Sequence, residues 1–171
     1  LMRTNSVLQI PIVDKKKSIK GLYVLKEFEK KLQKKHNNLV VIMAGGFGQR
    51  LLPYTRKVPK PMLKIAGKPI IEHIIDMLKF QGFKNIIICL HYKKNIFKNY
   101  FKKKNIGEIN LSFVEEKKPL GTAGALSLIK KKNKNPIIVL NGDLLFDFEL
   151  EKLISFHLKT KGDSTILVKS H

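Results

Sequence analysis

The sequence of 171 residues predicts an α/β domain in which a mostly parallel sheet carries helices on both faces. Two observations lead to this prediction. From residue 39 onward, short apolar runs rich in Val and Ile alternate with segments typical of helices. The first of these runs, residues 39–43, ends directly in a glycine-rich turn, which is where parallel strands of α/β sheets hold their ligands.

The elements of this domain follow one another regularly along the chain. The first helix is predicted between Pro69, which suits a first helical position, and Gly82, which suits a helix end. Its apolar face consists of Ile70, Ile71, Ile74, Ile75 and Leu78. Strands are predicted at 39–43, 85–90, 109–114, 136–140 and 164–168, and further helices at 95–104, 122–132 and 150–159.

The first 28 residues are predicted to lie outside this domain, with residues 29–38 as a linker and 39–171 as the domain itself. Two apolar runs, 7–13 and 19–25, flank a lysine-rich turn, which predicts a hairpin followed by a short helix near Lys26. The stretch LQIPIVDKKKSIKGLYVLKEF resembles the closing half of a CBS motif, a small regulatory unit. Val24 and Glu27 stand where that family has its nucleotide-binding Ser or Thr and Asp, so ligand binding is not implied. A plain hairpin is the alternative.

The composition bears on partners and location. The formal charge is +21, but almost all of it is lysine, with few interleaved aromatic residues, so we interpret it as a solvated surface rather than a nucleic-acid site. The single cysteine, Cys89, excludes internal disulfides. No apolar run approaches the ~18 residues of a membrane span, and no secretory leader is recognisable. These features predict a cytoplasmic protein without nucleic-acid or membrane partners, and leave homo-oligomerisation open.

The glycine-rich turn at residues 44–48 predicts a phosphate-binding loop. Glycines allow positive φ angles and let main-chain N–H groups approach an anion, and the cations Arg50, Lys60 and Lys64 follow. Neither the G-x-x-x-x-G-K-[ST] pattern nor G-x-G-x-x-G is present. A tight turn with surface lysines remains the simpler alternative for the glycines alone.

A longer pattern identifies the kind of loop. It runs Gly45-Gly46-x-Gly48-x-Arg50-Leu51-x-Pro53-x-Thr55, then Pro59-Lys60-Pro61-Met62 and Lys68-Pro69. This pattern resembles the signature of the sugar-phosphate nucleotidyltransferases, or NDP-sugar pyrophosphorylases, and the resemblance extends over residues 39–168. It implies a Rossmann-like fold in which Ala44, Gly45, Gly46 and Gly48 cradle the nucleotide. It further implies that Arg50 neutralises the departing pyrophosphate and that Lys60 holds the α-phosphate or the sugar phosphate.

A second stretch, residues 115–125, resembles the base-recognition loop of that family, commonly Q-x-x-P-x-G-T-A-x-A. Here Glu116 replaces the Gln, and Gly121 and Thr122 follow. An ionised carboxylate only accepts hydrogen bonds, and guanine offers two adjacent donors, so GTP is the predicted nucleotide. The E-x-x-P-L-G-T-A-G form also resembles the guanylyltransferase branch. The alternatives are a solvated Glu116, and a helix that is simply capped by Thr122.

A third stretch, Asn141-Gly142-Asp143, follows the predicted strand at 136–140. A carboxylate at the end of a parallel strand lies where ligands bind, and Mg²⁺ prefers one or two carboxylates together with phosphate oxygens. Asp143 is therefore the predicted metal ligand, as the resemblance also implies. A plain Asn-Gly turn is the alternative.

The resemblance implies an enzyme that transfers NMP, with GTP favoured as donor, to a sugar 1-phosphate, giving an NDP-sugar and pyrophosphate. Family members continue beyond a point like His171, so we expect this chain to lack the sugar-binding half. Two alternatives are a CBS-linked regulatory protein that binds nucleotide without turnover, and a lysine-rich nucleic-acid binder. His73, His91 and His157 stand at unrelated spacings and are predicted to be structural or surface residues.

Overall fold

The computed structural model describes residues 7–24, 35–130 and 133–168. The chain divides into two compact units, Leu1–Lys34 and Lys35–His171.

The first unit contains a hairpin of two antiparallel strands, β1 (Gln9–Val13) and β2 (Ile19–Val24). The Asp14 carboxylate accepts hydrogen bonds from the Lys16 and Ser18 amides at 2.8 and 3.0 Å, which stabilises the turn between the strands. The predicted strand–turn–strand order is therefore observed. The short helix predicted near Lys26 lies outside the described residues, and the CBS motif stays a prediction.

The second unit is built on a four-stranded parallel sheet with a small antiparallel hairpin beside it. Its strands are β3 (His36–Met43), β4 (Lys64–Ile65), β5 (Lys68–Pro69), β6 (Phe83–Leu90), β7 (Asn110–Glu115) and β8 (Ile138–Asn141). Its α-helices are α1 (Ile70–Phe80), α2 (Lys94–Lys102) and α3 (Leu150–Thr160). Four 3₁₀-helices lie at Gln49–Leu51, Tyr54–Arg56, Lys60–Met62 and Gly124–Leu128. In the parallel sheet the strands stand in the order β7-β6-β3-β8.

The two faces of this sheet are covered differently. On one face, alternate side chains of β3, β6 and β8 pack with the buried residues of all three α-helices in one large core. On the other face a smaller cluster joins β3 and β6 to Ala125 in the last 3₁₀-helix. Both faces of the central strands are buried, and residues 39–43 of β3 and 86–90 of β6 are accordingly continuous apolar runs, as is usual for parallel strands. The predicted α/β class with a parallel sheet is confirmed.

Two predicted elements are wrong. The helix predicted at 122–132 is only a 3₁₀-helix at Gly124–Leu128, and Ile129 is already extended, while residues 131–132 lie outside the description. Gly124 in the first turn weakens helix propensity there. The Thr122 side chain makes no capping hydrogen bond, since Ala123 occupies the N-cap. The strand predicted at 164–168 pairs with no other described strand, and its Ile166 and Val168 side chains are exposed.

In the described part of the chain the longest helices have 11 residues. None of the described helices has the length and apolar character that a bilayer span of about 20 residues needs.

Candidate functional site

The predicted site residues lie together at the carboxyl end of the parallel sheet. They come from four separate stretches of the chain and line a single cavity of about 900 Å³. The predicted residues that line it are Ala44, Gly45, Gly46, Gly48, Arg50, Lys60, Glu116, Gly121, Thr122 and Asp143. Lys64, the third cation after the glycines, lies on the exposed hairpin strand β4 and does not line the cavity. The geometry thus brings the predicted residues together, while their individual roles stay predictions.

The glycine-rich loop continues the backbone of β3 without a break. The Ala44 amide donates to the Cys89 carbonyl of β6 at 2.9 Å, and the loop then turns at Gly48, whose φ is +66°. A side chain would be strained at Gly48. Thr55 is 1% exposed, and its hydroxyl donates to the Gly48 carbonyl at 2.8 Å. Thr55 therefore stabilises the turn of the glycine-rich loop at Gly48. Its place in the sequence pattern did not reveal this role.

Lys60 and Asp143 face each other across the cavity. Pro59 is extended and Lys60 begins a 3₁₀-helix that also contains Pro61, so the prolines fix where the lysine leaves the backbone. The Lys60 ammonium group forms an ion pair with the Asp143 carboxylate, and the two side chains are 37% and 34% exposed. The cavity therefore holds a cation and an anion that remain accessible to a ligand.

Gly142 allows Asp143 to reach this position. Its amide donates to the Met43 carbonyl at 2.8 Å, which joins the ends of β8 and β3. A Cβ atom on Gly142 would lie 3.1 Å from Ala44 Cβ, from the Met43 carbonyl oxygen and from Pro61 Cγ. A side chain at this position would therefore force residues 43–44 or Pro61 to shift by a few tenths of an ångström, so glycine fits best here.

The Glu116 side chain is buried between the glycine-rich loop and its own segment, residues 116–120. It is 7% exposed, so the alternative of a solvated side chain is wrong. Its Oε2 accepts a hydrogen bond from the Leu120 amide at 3.0 Å, which closes the segment 116–120 into a compact turn. Its Oε1 lies on the side of the glycine loop, 2.7 Å from where a Cβ atom of Gly45 would stand. The carboxylate is thus held in a fixed place at the cavity wall.

Cys89 is not an activated nucleophile. This thiol is fully buried on β6, and burial, together with the charge of Glu116, raises its pKa to about 11. It is therefore a neutral core residue at physiological pH.

Asp143 is the candidate protein ligand for a magnesium ion in this cavity. No group of three or more His, Cys, Asp or Glu side chains in the described residues could hold a metal alone. Mg²⁺ commonly binds to one or two carboxylates and takes its other ligands from phosphates and water. Asp143, at the rim of a cavity lined with backbone amides and cations, fits that donor set.

One further residue beside the cavity, His91, was predicted only as a structural or surface residue. His91 follows β6 directly and contacts both the glycine loop and the Glu116 segment. The signal that pointed to Asp143, a polar residue just after a buried parallel strand, is also present at His91.

A parallel sheet whose strand ends carry a glycine loop, fixed cations and an accessible carboxylate is an arrangement typical of the protein class that binds phosphorylated ligands. Its family can be named from sequence comparison. Residues 39–171 match the family described as Nucleotidyl transferase, and the chain belongs to that family.

Its relatives include guanylyltransferases of sugar phosphates. The chain is 44% identical over 113 residues to D-glycero-alpha-D-manno-heptose 1-phosphate guanylyltransferase of Campylobacter jejuni, covering 66% of this chain and 51% of that protein. It is 37% identical over 134 residues to probable mannose-1-phosphate guanylyltransferase 1 of Oryza sativa, covering 75% and 37%. The chain therefore spans about half or less of the length of these curated relatives.

Solved structures give the same picture of the fold. HddC from Yersinia pseudotuberculosis, crystallised in complex with GMP-PN, superposes with a TM-score of 0.63 at 35% identity. The match covers 71% of this chain and 54% of HddC.

Proposed function

We propose that the protein transfers GMP from GTP to a sugar 1-phosphate, giving a GDP-sugar and pyrophosphate, with Mg²⁺ as cofactor. One observation carries the proposal: four stretches that the sequence pattern singled out line one cavity at the carboxyl end of the sheet. The guanylyltransferases among the relatives support the choice of guanine. We further propose that residues 39–171 form the domain concerned, and that the protein works in the cytoplasm, where the lone thiol stays reduced.

The reaction requires little acid–base catalysis by the protein. An oxygen of the sugar phosphate, already ionised at neutral pH, attacks the α-phosphorus of GTP. The bond from that phosphorus to the oxygen bridging the α- and β-phosphates breaks, and pyrophosphate leaves with the electron pair. Catalysis then depends on in-line positioning and on neutralising the charge that develops on the phosphates.

Each charged residue has a place in this scheme. The backbone amides of the glycine loop would hold the nucleotide phosphates, and Arg50 would neutralise the departing pyrophosphate. Lys60 would hold the α-phosphate or the sugar phosphate. Asp143 would hold Mg²⁺, which when bound neutralises phosphate charge and orients the phosphates. No step requires a general base, which agrees with the neutral Cys89.

Glu116 would recognise the base. Its buried carboxylate can accept hydrogen bonds from N1–H and the exocyclic amine of guanine, although Oε2 already accepts one from Leu120. An oxygen accepts two hydrogen bonds, so this contact leaves capacity on both oxygens. The carbonyl oxygens that flank the single N–H of uracil or thymine would be repelled. The alternative of a regulatory binder without turnover finds no support among the relatives, which are named as enzymes.

The test uses the full-length protein, because this chain spans about half or less of its curated relatives. GTP, UTP, dTTP and ATP compete as nucleotide donors, with mannose 1-phosphate or a heptose 1-phosphate as acceptor. Formation of NDP-sugar and pyrophosphate is measured with and without Mg²⁺. We expect GTP to be used preferentially and chelation of the metal to stop the reaction. Preference for a pyrimidine nucleotide, or binding of GTP without any product from either acceptor, would contradict the proposal.

A further inference from the structure

His91 stands where the two ligand-binding loops meet. It is the first residue after β6, and β6 lies between β3, which leads into the glycine loop, and β7, which leads into the Glu116 segment. Because the strands are parallel, both loops leave the sheet at the end where His91 stands. A side chain at this position can therefore contact both.

Towards the Glu116 segment, His91 makes a hydrogen bond. Its Nδ1 lies 3.0 Å from the Glu116 carbonyl oxygen. A carbonyl oxygen only accepts hydrogen bonds, so Nδ1 must carry a proton and donate a hydrogen bond to this oxygen. This hydrogen bond fixes the orientation of the imidazole ring. The carboxylate of Glu116 in turn accepts a hydrogen bond from the Leu120 amide at 3.0 Å. His91 therefore anchors the backbone of the residue whose side chain forms the cavity wall.

Towards the glycine loop, His91 makes packing contacts. A Cβ atom on Gly45 would lie 3.3 Å from the His91 Cβ and 3.5 Å from its backbone nitrogen, so His91 leaves little room for a side chain at Gly45. Its ring meets Phe47 of the glycine loop edge to face, with centroids 5.7 Å apart at 84°. This is a favourable aromatic geometry. Phe47 also packs on Tyr92, at 5.3 Å between centroids, so the residue after His91 reinforces the contact.

We propose that His91 is a positioning residue that sets the spacing between the glycine loop and Glu116, and thereby the selectivity for guanine. It does not line the cavity and acts through Glu116. The effect on selectivity rests on the proposed function, whereas the effect on loop spacing stands on the contacts alone.

Two substitutions separate the hydrogen bond from the ring. His91→Asn places an amide donor near the position of Nδ1 but removes the ring, and His91→Phe keeps a ring against Phe47 but removes the donor. The matched control is His73→Phe on α1, because His73 Nε2 lies 2.9 Å from the Ile65 carbonyl oxygen. That variant also loses a histidine–carbonyl hydrogen bond, but away from the cavity.

The first measurement follows amide hydrogen exchange in the full chain without nucleotide. We expect His91→Phe to speed exchange of the Leu120 amide by about 10-fold, the size of one lost hydrogen bond. His91→Asn and His73→Phe should stay within about 3-fold of the wild type at this amide. Unchanged exchange in His91→Phe, or equal acceleration in the Asn variant, would overturn the role of the hydrogen bond.

The second measurement compares Kd values for GTP and ITP, whose base lacks the exocyclic amine of guanine. We expect the wild type to prefer GTP by about 10-fold and His91→Phe to lose most of that preference. His91→Asn, which keeps the hydrogen bond but loses the ring contact with Phe47, should keep the larger part of it. A variant with faster exchange but unchanged preference would show that His91 supports the fold only, and would overturn the positioning role. A wild type that binds neither nucleotide would contradict the proposed function, while the exchange measurement would still decide the spacing role.

Discussion

The Lys60 ammonium group and the Asp143 carboxylate, 83 residues apart in the chain, form an ion pair inside the cavity. Each is the group that we assign to a ligand of opposite charge: phosphate for the lysine and Mg²⁺ for the aspartate. Binding of either ligand alone would leave the other residue without its partner. Binding of both together gives each residue a new partner, so we expect phosphate and metal to bind cooperatively.

The first prediction concerns metal binding in the absence of nucleotide. Lys60→Met should raise the affinity for Mn²⁺, a spectroscopic substitute for Mg²⁺, by about 2- to 5-fold, which corresponds to one partly exposed ion pair. Asp143→Asn should abolish binding at this site, and Lys64→Met on β4 serves as the control. Electron paramagnetic resonance titration measures the three affinities. If Asp143→Asn left Mn²⁺ binding unchanged, residues 141–143 would be a turn and nothing more.

The second prediction concerns turnover. Arg50 lines the cavity with an exposed side chain, and Arg50→Ala should lower kcat by roughly 10²-fold, because a charge facing the leaving pyrophosphate is lost. Arg56→Ala is the control, since Arg56 is also exposed in a nearby 3₁₀-helix but does not line the cavity. Steady-state kinetics with GTP measure both. Near wild-type turnover in Arg50→Ala would remove this residue from the mechanism.

The third prediction concerns the base. Glu116→Gln keeps the size of the side chain but turns one acceptor into a donor, so the preference for GTP over UTP should fall by about 10- to 100-fold. Glu115→Gln, at the neighbouring position on β7, is the matched control because Glu115 does not line the cavity. Competition between the two nucleotides gives the ratio of kcat/KM values. A preference that Glu116→Gln leaves unmoved would mean that the base is recognised elsewhere.

The fourth prediction compares two adjacent glycines. Gly45→Ala would bring a methyl group to 2.7 Å from Glu116 Oε1 and should displace the carboxylate, lowering both Tm and the preference for GTP over ITP. Gly46→Ala has no atom within 4 Å of the added methyl and should leave Tm unchanged. Thermal unfolding measures Tm for each. In a Glu116→Ala background, Gly45→Ala should cost less, and the difference measures the coupling. Equal Tm changes in the two single variants would argue against the close approach.

The fifth prediction concerns pH. Hydrogen bonds from Lys94 and Lys98 lower the pKa of Glu115 from its ordinary 4.5 to about 2. Above pH 4.5 the carboxylate is ionised in both folded and unfolded chains, and the full stabilisation is present. Between these values the unfolded chain binds a proton that the folded chain does not, so stability is lost as pH falls.

Thermal unfolding across this pH range tests it. Glu115→Gln should have a lower Tm than the wild type at neutral pH, and the difference should shrink below pH 4.5 and vanish near pH 2. Glu149→Gln, which loses an exposed ion pair with Lys152, is the control. A Tm difference for Glu115→Gln that does not depend on pH would contradict the assignment of the pKa.

Local sequence patterns account for most of the fold. The strand β6 and the helix α1 were predicted within two residues of their observed starts, because an apolar run and an apolar helical face depend only on neighbouring residues. The failures at 122–132 and 164–168 have a different cause. Gly124 weakens the first segment as a helix, and the second segment lacks a strand to pair with among the described residues.

The candidate site could likewise be predicted only in part from local sequence patterns. The residues that line the cavity belong to recognisable stretches, but the contacts between those stretches depend on the strand order β7-β6-β3-β8, which no local pattern encodes. The pair of Lys60 with Asp143 and the contacts of His91 with both loops follow from that order. Thr55 illustrates a third case, a residue inside the quoted pattern whose buried hydrogen bond to Gly48 only the structure reveals.

Strand β8 bears on how the protein behaves at high concentration. It pairs with β3 on one side, no described strand pairs with its other side, and its Val139 side chain is 42% exposed, as is Ile137 just before it at 43%. An open apolar edge of this kind favours association between copies. The charge of +21 opposes it through repulsion between molecules, and that repulsion is screened within about 10 Å at 0.1 M salt. Solutions of the chain should therefore stay clear at low ionic strength and become colloidally unstable as salt is added, the reverse of ordinary salting-in.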